Sequence, residues 1–351
     1  PLPEPISEIL IEAETGRILF AQEPHRRRPP ASTVKTVLEL VIMEMVKNGQ
    51  IKLTDSVRVS ANASRIGGSQ VFLKEGEVFP LEDLMKAIVI ASANDACVAV
   101  AEHTAGSVEG FVDLMNQKAE ELGLKDSHFV NVHGLDEERI EEGNLTSAHD
   151  LSNIARELVK YPEIREWSSI VEAPFRGGTF TLRNTNKLIG QFSGMDGLKT
   201  GYTSKSGFCL VATAKRDDLR LISVVMGLPS ERVRFEETSR LLSMGLNTYR
   251  RVIFARKGDI VGTVKVEAGR EDSVRVVTSA DIGAVVRRRD VHELQKVFEP
   301  EGVAEAPISV GDTLATMKVV LRDTVVTKVA AVAEREIARA SFIERIFKIF
   351  W

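Results

Sequence analysis

Three short strings constrain this chain more than any other feature: Ser32-Thr33-Val34-Lys35, Ser92-Ala93-Asn94 and Lys199-Thr200-Gly201. They read S-x-x-K, S-x-N and K-T-G, and a fold that uses them must bring three distant segments to one cleft. Each alone carries little. S-x-x-K arises by chance about once or twice in a chain of this length, and a second S-x-N stands at Ser60-Ala61-Asn62. Order and context give the set its weight. Ser32 opens an apolar helical run, TVKTVLELVIMEMVKNG, which puts its hydroxyl near a helix N-terminus. Lys35 follows one turn later on the same face, and backbone N–H groups at such an end are free to meet a developing oxyanion. Ser92, Asn94 and Asp95 interrupt a helix expected over 81–105, whose stretch KAIVIASANDACVAVAEH is apolar all round and therefore buried. Polar side chains inside such a helix need partners or a cleft.

These residue types suit acyl transfer. A serine hydroxyl is a poor nucleophile unless a base within hydrogen-bond reach takes its proton. Lys35 is that base if burial and a second cation depress its ammonium, and Lys199 is the second cation. Lys199 also attracts an anionic substrate terminus. Ser92 can relay a proton between Lys35, Ser32 and a leaving amine, Asn94 can hold a substrate amide, and the Thr200 hydroxyl can meet a carboxylate. The strand carrying Lys199, Thr200, Gly201 and Tyr202 offers main-chain groups to an extended peptide. The plainer alternatives are Ser32 as a helix cap, Lys35 as a solvated first-turn residue, Ser92 to Asp95 as a helix kink and K-T-G as a strand end.

A net charge of -4 over 351 residues argues against a nucleic-acid partner, which would need a basic stripe. No C-x-x-C or H-x-x-x-H spacing occurs, so a structural metal site is not expected, and no metal or organic cofactor is implied by the reading as a whole. Cys97 and Cys209 lie in apolar segments beside the motifs, where free buried thiols are expected. The chain begins at Pro1, which fits removal of an upstream segment.

The pattern along the chain predicts an α/β (α+β) domain over residues 1–250, with an antiparallel sheet flanked by helices. ILIEAETGRILF reads as a strand, a turn and a strand. A helix is expected over 108–122, another over 150–159 capped by Thr146, then strands through Lys199, over 208–214 and over 219–226, and a helix over 232–249. Residues 251–332 change to short Val-rich alternating segments and predict a small all-β sandwich domain. Residues 333–351 read as an amphipathic helix: Ile337, Ala340, Phe342, Ile343, Ile346, Phe347, Phe350 and Trp351 recur with near-helical spacing against Arg335, Arg339, Arg345 and Lys348. It is too charged to span a bilayer, and the expectation is an anchor lying in a membrane interface. A helix packed on the β domain or on a second copy is the alternative.

The chain resembles the low-molecular-mass penicillin-binding proteins, serine D-alanyl-D-alanine carboxypeptidases with a β-rich second domain and a C-terminal amphipathic anchor. Beyond the three motifs, the resemblance rests on RPPASTVK (28–35), GGSQVFLKEG (67–76), SANDACVAVA (92–101), LGLKDSHFVNVHGLD (122–136) and DGLKTGYTSKSG (196–207). It implies a penicillin-binding transpeptidase-like catalytic domain, Ser32 as the acylated nucleophile, Lys35 as general base, Ser92 as relay and Asn94 as a substrate-amide contact. It further implies that Lys199, Thr200 and Gly201 meet the substrate, that the Ser32 and Tyr202 N–H groups form an oxyanion hole, and that Arg234 helps hold a terminal carboxylate. The implied partners are a peptidoglycan stem peptide, β-lactams and a membrane surface, at the extracytoplasmic face of a bacterial membrane. Two departures stand out: Tyr202 where a His often follows K-T-G, and His149 in place of an Arg in a TSARD-like string. Rival readings are a β-lactamase, for which no E-x-x-x-N context is found, a D,D-endopeptidase, and a non-catalytic peptidoglycan-binding scaffold.

Overall fold

The computed structural model describes residues 7–341, and the chain forms two compact units, residues 1–246 and 247–351. In the first, the expected opening hairpin forms: β1 (Ser7–Glu12) pairs antiparallel with β2 (Ile18–Gln22). A 3-10 turn, Ala31–Val34, leads into α1 (Lys35–Lys47), whose residues are buried from Lys35 to Met43. The hairpin β3 (Ser56–Arg58) with β4 (Val78–Pro80) brackets α2 (Ala61–Arg65). Then come α3 (Leu81–Ala91), α4 (Asn94–Ala105), α5 (Val108–Glu121), α6 (Ala148–Leu158) and α7 (Pro162–Ser168). A second small hairpin, β5 (Glu172–Phe175) with β6 (Phe180–Arg183), precedes three long strands, β7 (Met195–Thr203), β8 (Gly207–Arg216) and β9 (Leu219–Leu228), and α8 (Glu231–Thr248).

The main sheet is antiparallel in the order β2-β1-β9-β8-β7. Its middle strands read as continuous apolar runs because both faces are covered. Strand alternation sends Ile9 and Ile11 into the large apolar core, where α6 packs on β1 and β9. Leu10 points the other way, and a Cβ added to Gly245 of α8 would lie 2.8 Å from Leu10 and 2.5 Å from Leu221, so α8 covers the opposite face. This puts β7 at one edge, paired only with β8 among the described residues.

Two expected elements differ in detail. The 81–105 helix is two helices, because Ser92 adopts a left-handed conformation (φ 63°) as the C-cap of α3 and Ala93 is extended before α4 begins. The break returns Ser92 N–H to the Ile88 carbonyl and Ala93 N–H to the Ala87 carbonyl, which closes α3. α6 is capped by Ser147, whose Oγ accepts from Asp150 N at 3.2 Å. Thr146 instead lies buried with its hydroxyl 2.8 Å from Ser127 Oγ.

The second unit is built from strands among the described residues: a six-stranded sheet and the antiparallel pair Tyr249–Ala255 with Ile282–Arg287. Period-two alternation supplies its core, with Val264, Val266, Val274, Val276, Met317 and Val319 buried while their neighbours face out. The expected C-terminal helix is corrected over 334–341, which is not helical: a bend at 334–335 leads to isolated β-bridges at Ile337 and Arg339. Ile337 and Ile308 exchange backbone hydrogen bonds of 2.9 Å each, and Ile337 and Ala340 are buried in this unit. Apolar spacing there serves a β-bridge, so helical periodicity over so short a stretch misled. The rest of that expectation, residues 342–351, lies outside the described residues. No helix among the described residues is long and apolar enough to cross a membrane.

Candidate active site

Lys35 organises the site. It is fully buried, and its Nζ lies 2.7 Å from Ser32 Oγ, 2.8 Å from Asn94 Oδ1, 2.8 Å from the His133 carbonyl oxygen and 3.4 Å from Ser92 Oγ. Two of these partners, an amide oxygen and a carbonyl, can only accept. They take two N–H bonds. A neutral amine has no third proton, so its lone pair is left facing Ser32 at the shortest of the four distances. Burial holds the Lys35 ammonium below its ordinary pKa, which favours that neutral form. Ser32 does not cap a helix: neither its own turn nor α1 has a side-chain cap.

The other strings supply the walls. Asn94 donates its amide N–H to the Gly67 carbonyl at 2.8 Å while its oxygen holds Lys35, so both ends of the side chain are engaged. A Cβ on Gly68, at φ 80°, would come within 2.6 Å of that amide, so the 67–69 turn needs glycine there. Asp95, buried, accepts backbone N–H bonds from Val71, Leu73 and Ala96 and so fixes the following loop. The decoy S-x-N does local work: Ser60 caps α2 and Asn62 bonds Glu102.

Gly201 explains the third string. A Cβ there would lie 2.9 Å from the Pro30 oxygen and 3.1 Å from Ser32 N, so the missing side chain lets the β7 edge close on the nucleophile turn. Lys199, buried, donates to the Thr200 carbonyl at 3.2 Å. Burial first, and then the charge of Lys35, bring its ammonium down to about 7. The Thr200 hydroxyl bonds Thr185 Oγ1 at 2.7 Å. Arg234, from the first turn of α8, donates to the Gly201 carbonyl at 3.3 Å and to Glu231 at 3.4 Å, while its Nε is buried with no partner. Tyr202 is exposed and stacks on Phe208 with ring centroids 4.2 Å apart. The structure therefore joins Ser32, Lys35, Ser92 and Asn94 in one network and places Gly201 and Arg234 directly beside it. Lys199 and Thr200 flank Gly201 on the same strand.

Sequence reasoning missed three contributors. His133 supplies a carbonyl to Lys35, and burial followed by the Lys35 charge pushes its imidazole down to about 4, so the ring is neutral. Thr185 meets Thr200. Glu39, one turn beyond Lys35 and buried, is attracted by both Lys199 and Lys35, yet burial drives its carboxyl up to about 7. Its sequence signal was available: an acid in the middle of an apolar helix needs a charged partner. Cys97 and Cys209 are free and buried, with thiols pushed up to about 12 and about 11 by burial, so neither is a nucleophile here.

Comparison with known proteins agrees with this geometry. Residues 4–230 match the family model described as D-alanyl-D-alanine carboxypeptidase, and residues 249–339 match that of the penicillin-binding protein 5 C-terminal domain. This chain belongs to the D-alanyl-D-alanine carboxypeptidase family. It is 37% identical over 341 residues to D-alanyl-D-alanine carboxypeptidase DacF of Bacillus subtilis, covering 96% of this chain and 87% of that one. It is 33% identical to the carboxypeptidase DacD of Escherichia coli, with coverages of 98% and 89%. Among solved structures, penicillin-binding protein 5 from Haemophilus influenzae superposes with a TM-score of 0.81 at 28% identity, covering 97% of this chain and 99% of that one. The family assignment fits the mixed α/β unit followed by an all-β unit.

Proposed function

We propose that this protein is a penicillin-binding serine carboxypeptidase that removes the terminal D-Ala from peptidoglycan stem pentapeptides through an acyl-enzyme on Ser32. The observation that carries the reading is the buried Lys35 amine 2.7 Å from Ser32 Oγ, with its N–H groups already committed to Asn94 and His133. In this reading Lys35 takes the Ser32 proton as Oγ attacks the penultimate D-Ala carbonyl. The resulting oxyanion is met by the Ser32 and Tyr202 N–H groups. The C–N bond then breaks, Ser92 passes a proton to the departing D-Ala amine, and water hydrolyses the ester. The open edge of β7 supports an extended peptide strand along Lys199 to Tyr202. Arg234, with an unpartnered buried Nε, Lys199 and Thr200 would receive the substrate carboxylate. Asn94, held at both ends, serves chiefly to aim Lys35, and contact with a substrate amide requires it to exchange one of those bonds. A β-lactam acylates the same serine.

Such a substrate places the enzyme outside the cytoplasmic membrane. Attachment of the chain beyond Ser341 to a membrane surface belongs to this proposal and is tested by vesicle flotation of the protein with and without those residues; equal flotation of both discards it.

Ser32→Ala is expected to abolish covalent labelling by fluorescent penicillin and release of D-Ala from a stem pentapeptide, with the thermal unfolding transition retained. Labelling that persists in the variant overturns the assignment of the nucleophile. Rapid nitrocefin turnover without D-Ala release by the parent would make the protein a β-lactamase instead.

A further inference from the structure

Three ligating side chains from separate segments meet outside the Lys35 network. His25 lies between β2 and the nucleophile turn, Asp126 follows α5, and His149 stands in the first turn of α6. Their donor atoms all lie within 4.8 Å of one another. His25 Nδ1 is 2.9 Å from Asp126 Oδ2, and the two imidazole rings lie 4.4 Å apart between centroids. We propose that His25, Asp126 and His149 form a binding site for one divalent transition-metal ion, zinc by its donor set.

The site is partly prepared. His149 Nδ1 is 3.1 Å from Asp150 Oδ1, and since a carboxylate only accepts, that nitrogen carries the proton and Nε2 keeps the lone pair for a metal. Asp150 is itself buried and fixed, its other oxygen accepting from Asp126 N and Ser127 Oγ at 2.9 Å each. A carboxylate behind a ligating histidine sets the tautomer and raises the basicity of the ring. Asp126 is steadied by Ser147, whose Oγ donates to Oδ2 at 2.9 Å. The His149 backbone N–H donates to the Pro24 carbonyl at 2.9 Å, which holds the residue before His25 beside the ring. Two carboxylates, one in contact and one behind His149, offset a dipositive charge. Two imidazoles with one carboxylate suit zinc and its neighbours better than calcium or magnesium, which favour all-oxygen ligands.

Tetrahedral zinc with bonds of about 2.0–2.2 Å wants its ligand atoms about 3.3 Å apart, so closure asks for movement of roughly 1 Å. His25, with 62% of its side chain exposed, is the ligand able to move. As for His149, its Nδ1 donates to the carboxylate, here Asp126, as the side chains stand. Ligation exchanges that hydrogen bond for one to the metal, through Nε2 after the ring turns or through Nδ1 after its proton leaves. Water completes the fourth position. None of the ligand pairs falls at a short motif spacing in the sequence, so the expectation of no metal site, drawn from spacing alone, did not bear on this cluster. The ion would tie the segment entering the nucleophile turn to the loop that presents the His133 carbonyl to Lys35. Backbone bonds of 2.8 and 3.0 Å already join Arg28 to Thr146, just before α6, and His128 of that loop bridges to Leu145. The bound state should therefore unfold at higher temperature.

The test is equilibrium dialysis of tag-free protein against zinc chloride, with cobalt absorption and thermal unfolding alongside. One equivalent is expected to bind, with tetrahedral cobalt bands in the visible and a raised Tm. His25→Ala and His149→Ala should each weaken binding by at least about tenfold and remove the Tm response. Penicillin labelling checks that each variant is folded, and His149→Gln, which keeps the cap region's bulk, replaces any that is not. Zinc binding of equal affinity in folded variants, or no stoichiometric binding by the parent at ~100 μM zinc, overturns the proposal.

Discussion

The two units bury different things. Residues 1–246 enclose five charged or chargeable side chains around one cleft, Lys35, Glu39, Asp95, Lys199 and Arg234, each at most 4% exposed. Among the described residues of the second unit, the buried set is apolar apart from Thr278, and its charges pair on the surface, as Arg275 does with Glu334 at 2.8 Å. Withdrawing an ion from water costs several kcal/mol even after relaxation. A chain that folds by apolar burial alone has no need of such groups, and the second unit does without them. The first unit also buries Glu8, Glu12 and Asp150 singly at other points, but it gathers opposite and like charges only around this cleft, where a lysine must lose its proton to be of use. Clustered buried charge here marks chemistry, single buried carboxylates such as Glu12 and Asp150 hold turns, and buried valine marks packing.

The comparison breaks at its most demanding point with Lys35→Arg. A guanidinium keeps its proton at any working pH and cannot act as a base, so the second-order rate of acylation by penicillin should fall by about 10²–10⁴-fold. Stopped-flow or gel-based labelling measures it. Acylation within tenfold of the parent would show that the buried lysine is only a charge, and the distinction between the two interiors would lose its chemical meaning.

Much of this division was legible in the sequence because it rests on local pattern. The apolar run after Ser32, the polar break at Ser92 and the Val-rich alternation after residue 250 each state their environment within a few residues. What was not legible depends on long-range closure. His133 enters through its carbonyl, an atom every residue has, so no side-chain pattern could reveal it. The left-handed Ser92 is set by the return of its chain to Lys35, where a non-glycine residue at positive φ is uncommon. Gly201 and Gly68 were readable as turn or strand glycines, and only packing shows that each clears room for the Ser32 turn and for Asn94. The stretch 334–341 misled for the opposite reason: Ile337 and Ala340 satisfy helical spacing, yet Ile337 pairs with Ile308 in a β-bridge and Ala340 donates its N–H to the Ala268 carbonyl.

A second test addresses the apolar side. Ile282, fully buried in the second unit's core, packs without a polar partner. Ile282→Ala should lower that unit's stability by about 2–5 kcal/mol, measured by denaturant unfolding, while the acylation rate of the native enzyme stays at the parent value. A large fall in acylation rate under native conditions would mean that the β unit's core bears on the chemistry after all.

The smallest expected effect sharpens the comparison most, because it asks whether a buried charge tunes its neighbours or merely accompanies them. Glu39 raises the pKa of both Lys35 and Lys199, while burial pulls both lysines down. Glu39→Gln keeps the shape and removes the negative charge, so both lysines should deprotonate at lower pH. Acylation requires neutral Lys35 and therefore rises with pH through the Lys35 pKa; lowering that pKa moves the rising limb toward acid. If cationic Lys199 holds the substrate carboxylate, the falling limb moves the same way. A displacement of about one pH unit, equivalent to about 1.4 kcal/mol, is expected in the acylation profile. It should be largest above pH 7, where the Glu39 carboxyl, raised to about 7, is ionised. A profile superimposable on the parent's would mean that Glu39 stays protonated throughout, leaving burial and the remaining charges, Lys35 on Lys199 among them, to set the two lysines.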